Sequence, residues 1–122
     1  MKTILLVDDD NDFRETLGRV LARAGYEVRQ ATNGREAVAS YREAPSDLVI
    51  TDLIMPEREG IETILELRRL QPEVRVIAIS GGGRVGPGDY LRMAQSLGAQ
   101  RTLSKPFPSD QLLKAIEEVL AG

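Results

Sequence analysis

The chain is 122 residues long, carries a formal net charge of −3 and contains neither cysteine nor histidine. It therefore has no means of forming a disulfide, a thiolate or imidazole metal site or a Ser-His-Asp triad, and its charge gives no general attraction to nucleic-acid phosphates. No apolar run approaches the ~18 residues of a membrane span, and the residues before Asp8 are too few for a secretory signal. We therefore expect one cytoplasmic domain over residues 1–122, which binds neither a membrane nor nucleic acid.

Short apolar segments alternate with stretches of helical periodicity along the whole chain. The first segment, residues 3–7, is a continuous apolar run, which is typical of a strand buried on both faces, and the next stretch has apolar residues at helical spacing until Gly25. The same alternation continues to the end of the chain. It predicts strands over residues 3–7, 26–30, 47–51, 74–79 and 101–103, a helix that ends at Gly25, helices over 35–43, 61–70 and 89–97, and a last helix that begins near Pro108.

Five βα units fill the chain and leave no segment for a second domain. Strict βα alternation predicts a parallel sheet covered by helices on both faces. The exception to regular structure is residues 81–88, "GGGRVGPG", which hold five glycines in eight positions. This stretch fits G-x-G-x-x-G, but it follows the fourth strand, and no acidic residue ends a next strand about 20 residues further on. We therefore do not interpret it as a dinucleotide site.

Reactive side chains occur at the carboxyl ends of four predicted strands. Asp8 and Asp9 follow the first strand, Asp52 the third, Ser80 the fourth and Lys105 the fifth. Ligands of open parallel α/β sheets bind outside the carboxyl ends of the strands, so we expect these side chains to share one edge. Each residue alone has a simpler interpretation, such as a helix cap, a turn residue or a solvated charge. Their joint occurrence at one edge favours a functional site.

Carboxylates gathered at one edge of a sheet repel one another unless a cation neutralises them. Mg²⁺ is usually held by a few carboxylates together with water, so Asp8, Asp9 and Asp52 predict a Mg²⁺ site. A carboxylate beside Mg²⁺, with a lysine and a hydroxyl aimed at the same point, can attack a phosphoryl group. Asp52 is then the nucleophile and the product is an acyl phosphate. The polar residues 10–12 that follow are interpreted as capping residues of the first helix.

The stretches "LLVDDDNDFR", "DLVITDLIMPEREG", "VIAIS" and "LSKPF" resemble the receiver domain of bacterial response regulators, and the resemblance covers essentially all 122 positions. It implies a flavodoxin-like α/β fold: a five-stranded parallel sheet of order 2-1-3-4-5 flanked by five helices. It also implies Mg²⁺ as the cofactor. The implied phosphoryl donor is a sensor histidine kinase or a histidine phosphotransfer protein.

The resemblance implies a role for each metal-binding residue. Asp52 would be the phosphorylated residue and, like Asp9, a direct Mg²⁺ ligand. Asp8 would act mainly through water. The backbone carbonyl of Ile54 would be a further ligand.

The resemblance also implies that Ser80 and Lys105 bind the phosphoryl oxygens and that the peptide bond before Pro106 is commonly cis. Two features depart from the family pattern. Position 102, usually Tyr or Phe, is Thr102 here, so the aromatic part of the usual conformational switch is missing. The glycine-rich residues 81–88 lengthen the segment after the fourth strand, and we expect them to contribute to the conformational response.

These features predict a signalling module that catalyses only its own phosphorylation and dephosphorylation. Phosphorylation of Asp52 would shift a conformational equilibrium, and the surface of the fourth helix, fifth strand and last helix would report it to a downstream protein. Two alternatives remain. A phosphatase or phosphotransferase acting on a free substrate is disfavoured, because the position of its usual second aspartate is Ile54. A degenerate receiver that binds partners without phosphorylation is favoured by Thr102 and disfavoured by the complete site.

Overall fold

A computed structural model of the chain describes residues 1–53, 59–81, 92, 95, 96 and 98–121. Five strands and four helices lie within these residues. The strands are β1 (Thr3–Val7), β2 (Glu27–Ala31), β3 (Leu48–Asp52), β4 (Val76–Gly81) and β5 (Arg101–Lys105). The helices are α1 (Asn11–Arg23), α2 (Gly34–Glu43), α3 (Glu59–Leu70) and α4 (Ser109–Ala121). None of the described helices is long and apolar enough to cross a membrane.

The strands form one parallel sheet in the order β2-β1-β3-β4-β5, which confirms the predicted strand order. The central strands β1 and β3 are buried along their whole length, as their continuous apolar sequences predict. Parallel pairing aligns the carboxyl ends of the strands. In this register Val7 lies opposite Thr51, and Asp52 lies opposite Ile79.

Helices cover both faces of the sheet, and each face has its own apolar cluster. On one face, Leu5 and Val7 of β1 belong to a cluster with residues of α2 and α3; on the other, Ile4 and Leu6 belong to a cluster with residues of α1 and α4. Full burial of such a side chain contributes about 1.5–3 kcal/mol. The two clusters therefore fix the strands, and with them the edge at which the strands end.

The helix that follows β1 begins where the sequence predicts capping residues. Asp10 is the N-cap of α1, and its side chain accepts a hydrogen bond from the Phe13 N–H at 3.1 Å. Asn11 and Asp12 lie in the first turn of the helix. The helix ends at Arg23 with Ala24 as its C-cap, close to the end predicted at Gly25. Gly25 after it has a φ of +99°, a conformation that favours glycine.

Four strands end later than predicted: β2 continues to Ala31, and polar residues continue the ladder of β3, β4 and β5 beyond the apolar run. Asp52 is the last residue of β3, Ser80 pairs with Ser104 inside the β4–β5 ladder, and Lys105 pairs with Gly81. The fourth strand also begins later than residue 74, since the Val74 N–H donates to the Gln71 carbonyl in a turn. Ile54, most of the glycine-rich residues 81–88 and most of the helix predicted over 89–97 lie outside the described residues.

Candidate functional site

The carboxyl edge of the sheet brings together side chains from four strands or the residues that follow them. Asp8 comes directly after β1, Asp52 ends β3, Ser80 lies near the end of β4, and Lys105 ends β5. The Lys105 ammonium donates a hydrogen bond to Asp52 Oδ2 at 2.9 Å and another to Asp8 Oδ2 at 3.1 Å. One lysine therefore links the first and third strands across the predicted site.

The three predicted carboxylates form one acidic group at this edge. Asp8, Asp9 and Asp52 each offer an oxygen, and these oxygens lie within 4.8 Å of one another. Asp8 and Asp52 are buried, at 1% and 5% exposure, whereas Asp9 is exposed. Carboxylate oxygens, one of them open to water, are the donors that Mg²⁺ prefers, so the residues present fit this cation.

Burial and charge act against each other on the ionisable groups of the site. Burial raises the pKa of Asp8, and the nearby Asp52 carboxylate adds to the effect, while the Asp10 N–H and Lys105 oppose it. Burial alone would lower the pKa of Lys105, but hydrogen bonds and charges from Asp52 and Asp8 outweigh it and raise that pKa. The lysine is therefore firmly charged, and it offsets part of the repulsion between the carboxylates.

The Ser80 hydroxyl is buried without a hydrogen-bond partner among the described residues. Ser80 is fully buried and directly follows Ile79, the residue that pairs with Asp52. A buried hydroxyl without a partner costs free energy, so the presence of this serine at the edge of the sheet is not explained by a contribution to stability. Ser80 is thus a buried hydroxyl residue on the strand next to the one that Asp52 ends.

The fifth strand and the residue after it hold two further features that the sequence singled out. The Lys105–Pro106 peptide bond is cis, which confirms that expectation. Thr102 is half-buried in β5, opposite Ala78 of β4. The position at which the resemblance implies an aromatic residue is therefore occupied by a smaller β-branched side chain.

Arg14 supports the site, a role that was not predicted from the sequence. Its guanidinium is buried, donates to the Asp8 backbone carbonyl at 2.8 Å and donates to Gln30 Oε1 at 2.9 Å. The signal available in the sequence is its position three and seven residues before Leu17 and Leu21, on the buried face of α1. Arg14 thus fixes the backbone that presents Asp8.

Replacing Arg14 by methionine is expected to lower the free energy of unfolding by about 1.5–3 kcal/mol, the range for a hydrogen bond to a charged group. Methionine keeps much of the side-chain length but leaves the Asp8 carbonyl without its donor. Urea unfolding followed by circular dichroism measures the change. The control is Arg19→Met on the exposed face of α1, which we expect to change stability by about 0.5 kcal/mol or less. Equal stability of the two variants would contradict the role of Arg14.

Gly60 is a second residue whose role was not predicted. It lies in the first turn of α3, where a Cβ atom would come within 2.6 Å of the Leu53 Cα and closer still to the Asp52 carbonyl oxygen. Real Cβ atoms do not approach backbone atoms so closely. The absence of a side chain at Gly60 therefore allows α3 to pack directly against the strand end that holds Asp52.

The fold and the site together define a doubly wound α/β protein in which an acidic group and a lysine are in contact at the carboxyl edge of the sheet, the edge at which ligands of such sheets bind. The family model for the response regulator receiver domain matches residues 4–117. The chain belongs to this family, whose members are modules of phosphorylation-dependent two-component signalling rather than classical enzymes and bind Mg²⁺.

Relatives and solved structures agree with this assignment. The chain is 37% identical to a chemotaxis protein CheY of Thermotoga maritima, over 97% of each chain, and 37% identical to the response regulator receiver protein CpdR of Brucella abortus, over 98% of each chain. The crystal structure of a response regulator receiver domain protein from Clostridium thermocellum superposes with a TM-score of 0.91 at 28% identity, covering 99% of this chain and 95% of that one.

Proposed function

We propose that residues 1–122 form one receiver domain that accepts a phosphoryl group on Asp52 in the presence of Mg²⁺ and thereby changes conformation to regulate a partner protein. The observation that supports this most strongly is the position of the Lys105 ammonium, within hydrogen-bond distance of both Asp8 and Asp52. A lysine held at a buried carboxylate, together with the Ser80 hydroxyl, which has no hydrogen-bond partner within the described part of the chain, would provide donors for the oxygens of an incoming phosphoryl group.

The metal-binding residues in this proposal are Asp8, Asp9, Asp52 and the backbone carbonyl of Ile54. When bound, Mg²⁺ would neutralise the carboxylates and polarise the phosphoryl oxygens. The role of Ile54 rests on the family resemblance, because this residue lies outside the described part of the chain. The exposed Asp9 leaves one side of the acidic group open to water, which suits an ion that keeps part of its hydration shell.

The proposed transfer is a direct displacement at phosphorus. An Asp52 carboxylate oxygen forms a bond to phosphorus while the bond from phosphorus to the donor imidazole nitrogen breaks, and the electron pair of that bond remains on the nitrogen. Lys105 and Ser80 donate hydrogen bonds to the phosphoryl oxygens, where negative charge is concentrated. In hydrolysis, a water oxygen attacks phosphorus, inorganic phosphate leaves, and the Asp52 carboxylate is regenerated.

The conformational signal follows from the contacts that change. In the unphosphorylated protein Lys105 contacts two carboxylates, and after transfer one of these carries the phosphoryl group. New contacts from Lys105 and Ser80 to the phosphoryl oxygens would shift an existing conformational equilibrium. We propose that the donor is a sensor histidine kinase or a histidine phosphotransfer protein in the cytoplasm, and that the readout is contact with a downstream protein rather than direct binding to nucleic acid.

One observation favours a second candidate function. Thr102 stands where the resemblance implies an aromatic residue, so the aromatic part of the usual conformational switch is missing. The second candidate is therefore a degenerate receiver, whose site does not accept a phosphoryl group. Such a protein would bind partners independently of phosphorylation. The experiment below separates the two functions.

The test is the intact mass of the protein after incubation with acetyl phosphate and Mg²⁺. We expect one added phosphoryl group in the wild type and in the control variant Asp12→Asn, which changes an exposed aspartate in the first turn of α1. We expect none in Asp52→Asn or after addition of a chelator, since each removes a required component. An unchanged wild-type mass, with Mg²⁺ binding shown separately by calorimetry, would refute the phospho-accepting function and favour the degenerate receiver.

A further inference from the structure

Both phenylalanines of the chain lie beside the candidate site. Phe13 is in the first turn of α1, and Phe107 follows β5. Their rings meet edge to face, with centroids 6.2 Å apart and planes at 87°. The Lys105 ammonium lies 4.0 Å from the centroid of the Phe13 ring. The residue that links Asp8 and Asp52 therefore also contacts an aromatic face.

We propose that Phe13 is a positioning residue for phosphoryl transfer, because its ring face holds the Lys105 ammonium at the Asp52 carboxylate. The inference rests on the proposed function and extends it to a residue outside the acidic group. Phe13 would touch neither the phosphoryl group nor the metal in this role. It would act through Lys105 alone.

The ring offers the ammonium a contact that the carboxylates cannot replace. An aromatic face carries negative electrostatic potential and attracts a cation within about 6 Å of its centroid. Two of the three N–H groups of the Lys105 ammonium are directed to Asp52 and Asp8, at 2.9 Å and 3.1 Å. A cation or a phosphoryl group would compete for those carboxylate oxygens. The ring of Phe13 has no oxygen ligand to offer to Mg²⁺ and no donor to offer to a phosphoryl group, so it remains a partner of the ammonium throughout the transfer.

The geometry around Phe13 favours this role over simple packing. Lys105 has a long flexible stem, and an ammonium without fixed neighbours has many positions open to it. The side chain of Lys105 is 22% exposed, so solvent is one of the places to which the ammonium could otherwise turn. The edge-to-face contact with Phe107 fixes the plane of the Phe13 ring. A residue needed only for apolar volume would not require a face directed at a cation.

The experiment compares leucine and tyrosine at position 13. Phe13→Leu keeps an apolar side chain but removes the aromatic face, whereas Phe13→Tyr keeps the face. From acetyl phosphate with Mg²⁺, we expect the phosphorylation rate constant to fall about 3- to 30-fold in Phe13→Leu and to stay within about twofold in Phe13→Tyr. The control is Tyr26→Leu, a half-buried aromatic residue of the same apolar cluster that lies just before β2, at the opposite end of the sheet. We expect it to phosphorylate at the wild-type rate.

A double-mutant cycle with Lys105→Met tests whether Phe13 acts through the lysine. We expect Phe13→Leu to cause no further loss of rate in the Lys105→Met background, since the cation is already gone. The ε-methylene NMR resonances of Lys105 provide a readout that does not depend on phosphorylation: ring current should shift them upfield in the wild type and in Phe13→Tyr, but not in Phe13→Leu.

The outcomes separate this inference from the proposed function. A wild-type protein that takes up no phosphoryl group overturns the proposed function. Uptake at equal rates in the wild type and Phe13→Leu overturns the role of Phe13 alone. So does an equal loss in the leucine and tyrosine variants, an additive double-mutant cycle, or a wild-type Lys105 resonance without an upfield shift.

Discussion

Replacing Gly60 by alanine is expected to lower the free energy of unfolding by about 1–3 kcal/mol, the cost of inserting a methyl group into a packed interior, and to slow the proposed phosphorylation of Asp52. The added Cβ would meet two backbone groups, the Leu53 Cα at 2.6 Å and the Asp52 carbonyl oxygen. Backbone atoms in a central buried strand cannot turn aside as a flexible side chain can. Either α3 moves outward or the end of β3 is displaced, and the second response moves Asp52 relative to Lys105.

Gly18→Ala provides a matched control for this substitution. A Cβ at Gly18 would meet the end of the Gln30 side chain, with the amide nitrogen at 3.0 Å, and that side chain can move. Alanine is also about 0.5–1 kcal/mol better than glycine inside a helix, so we expect little loss of stability in α1. Urea unfolding and the rate of mass gain from acetyl phosphate measure both effects. Equal stabilities and rates in the two alanine variants would show that the approach of α3 to β3 is not constrained by Gly60.

The strands could be predicted from the sequence because burial on both faces leaves a continuous apolar run, as in residues 3–7 of β1. The same signal fails at the ends of the strands. Asp52, Ser80 and Lys105 continue the hydrogen-bonded ladder although the apolar run has ended, so β3, β4 and β5 end later than expected. At these positions the backbone hydrogen bonds of the ladder form whatever the polarity of the side chain. The sequence pattern reports only side-chain polarity, so it does not predict where the ladder ends.

The acidic group could be predicted because parallel strands align their carboxyl ends, so that Asp8, Asp9 and Asp52 must meet at one edge. The supporting residues could not be predicted in the same way. Phe13 has the spacing of an ordinary core residue, and nothing in its pattern indicates a lysine that is distant in sequence but in contact with its ring. Arg14 and Gly60 act on backbone groups, the Asp8 carbonyl and the Asp52–Leu53 segment, whose positions depend on how the helices pack.

Asp8→Asn is expected to stabilise the protein without Mg²⁺ and to weaken its Mg²⁺ binding. Burial raises the pKa of Asp8, which means that the folded state disfavours the ionised carboxylate. This cost appears as the pH rises from the ordinary aspartate pKa through the raised folded pKa, and it is fully present at neutral pH. Asparagine removes the charge and keeps an oxygen for the Asp10 N–H, so we expect the free energy of unfolding in chelator to increase by about 1 kcal/mol.

Mg²⁺ should reverse the order of stability of these two proteins. Loss of one carboxylate from the acidic group is expected to lower Mg²⁺ affinity about 10- to 100-fold, so at high Mg²⁺ the wild type gains more stability than Asp8→Asn. Asp10→Asn is the matched control: Asp10 is the exposed N-cap of α1, and asparagine caps a helix equally well, so neither quantity should change. Thermal unfolding at pH 7 with chelator and with Mg²⁺, together with Mg²⁺ titration by calorimetry, measures both effects. A less stable Asp8→Asn in chelator would show that the hydrogen bond from Lys105 to this carboxylate outweighs the cost of burying it.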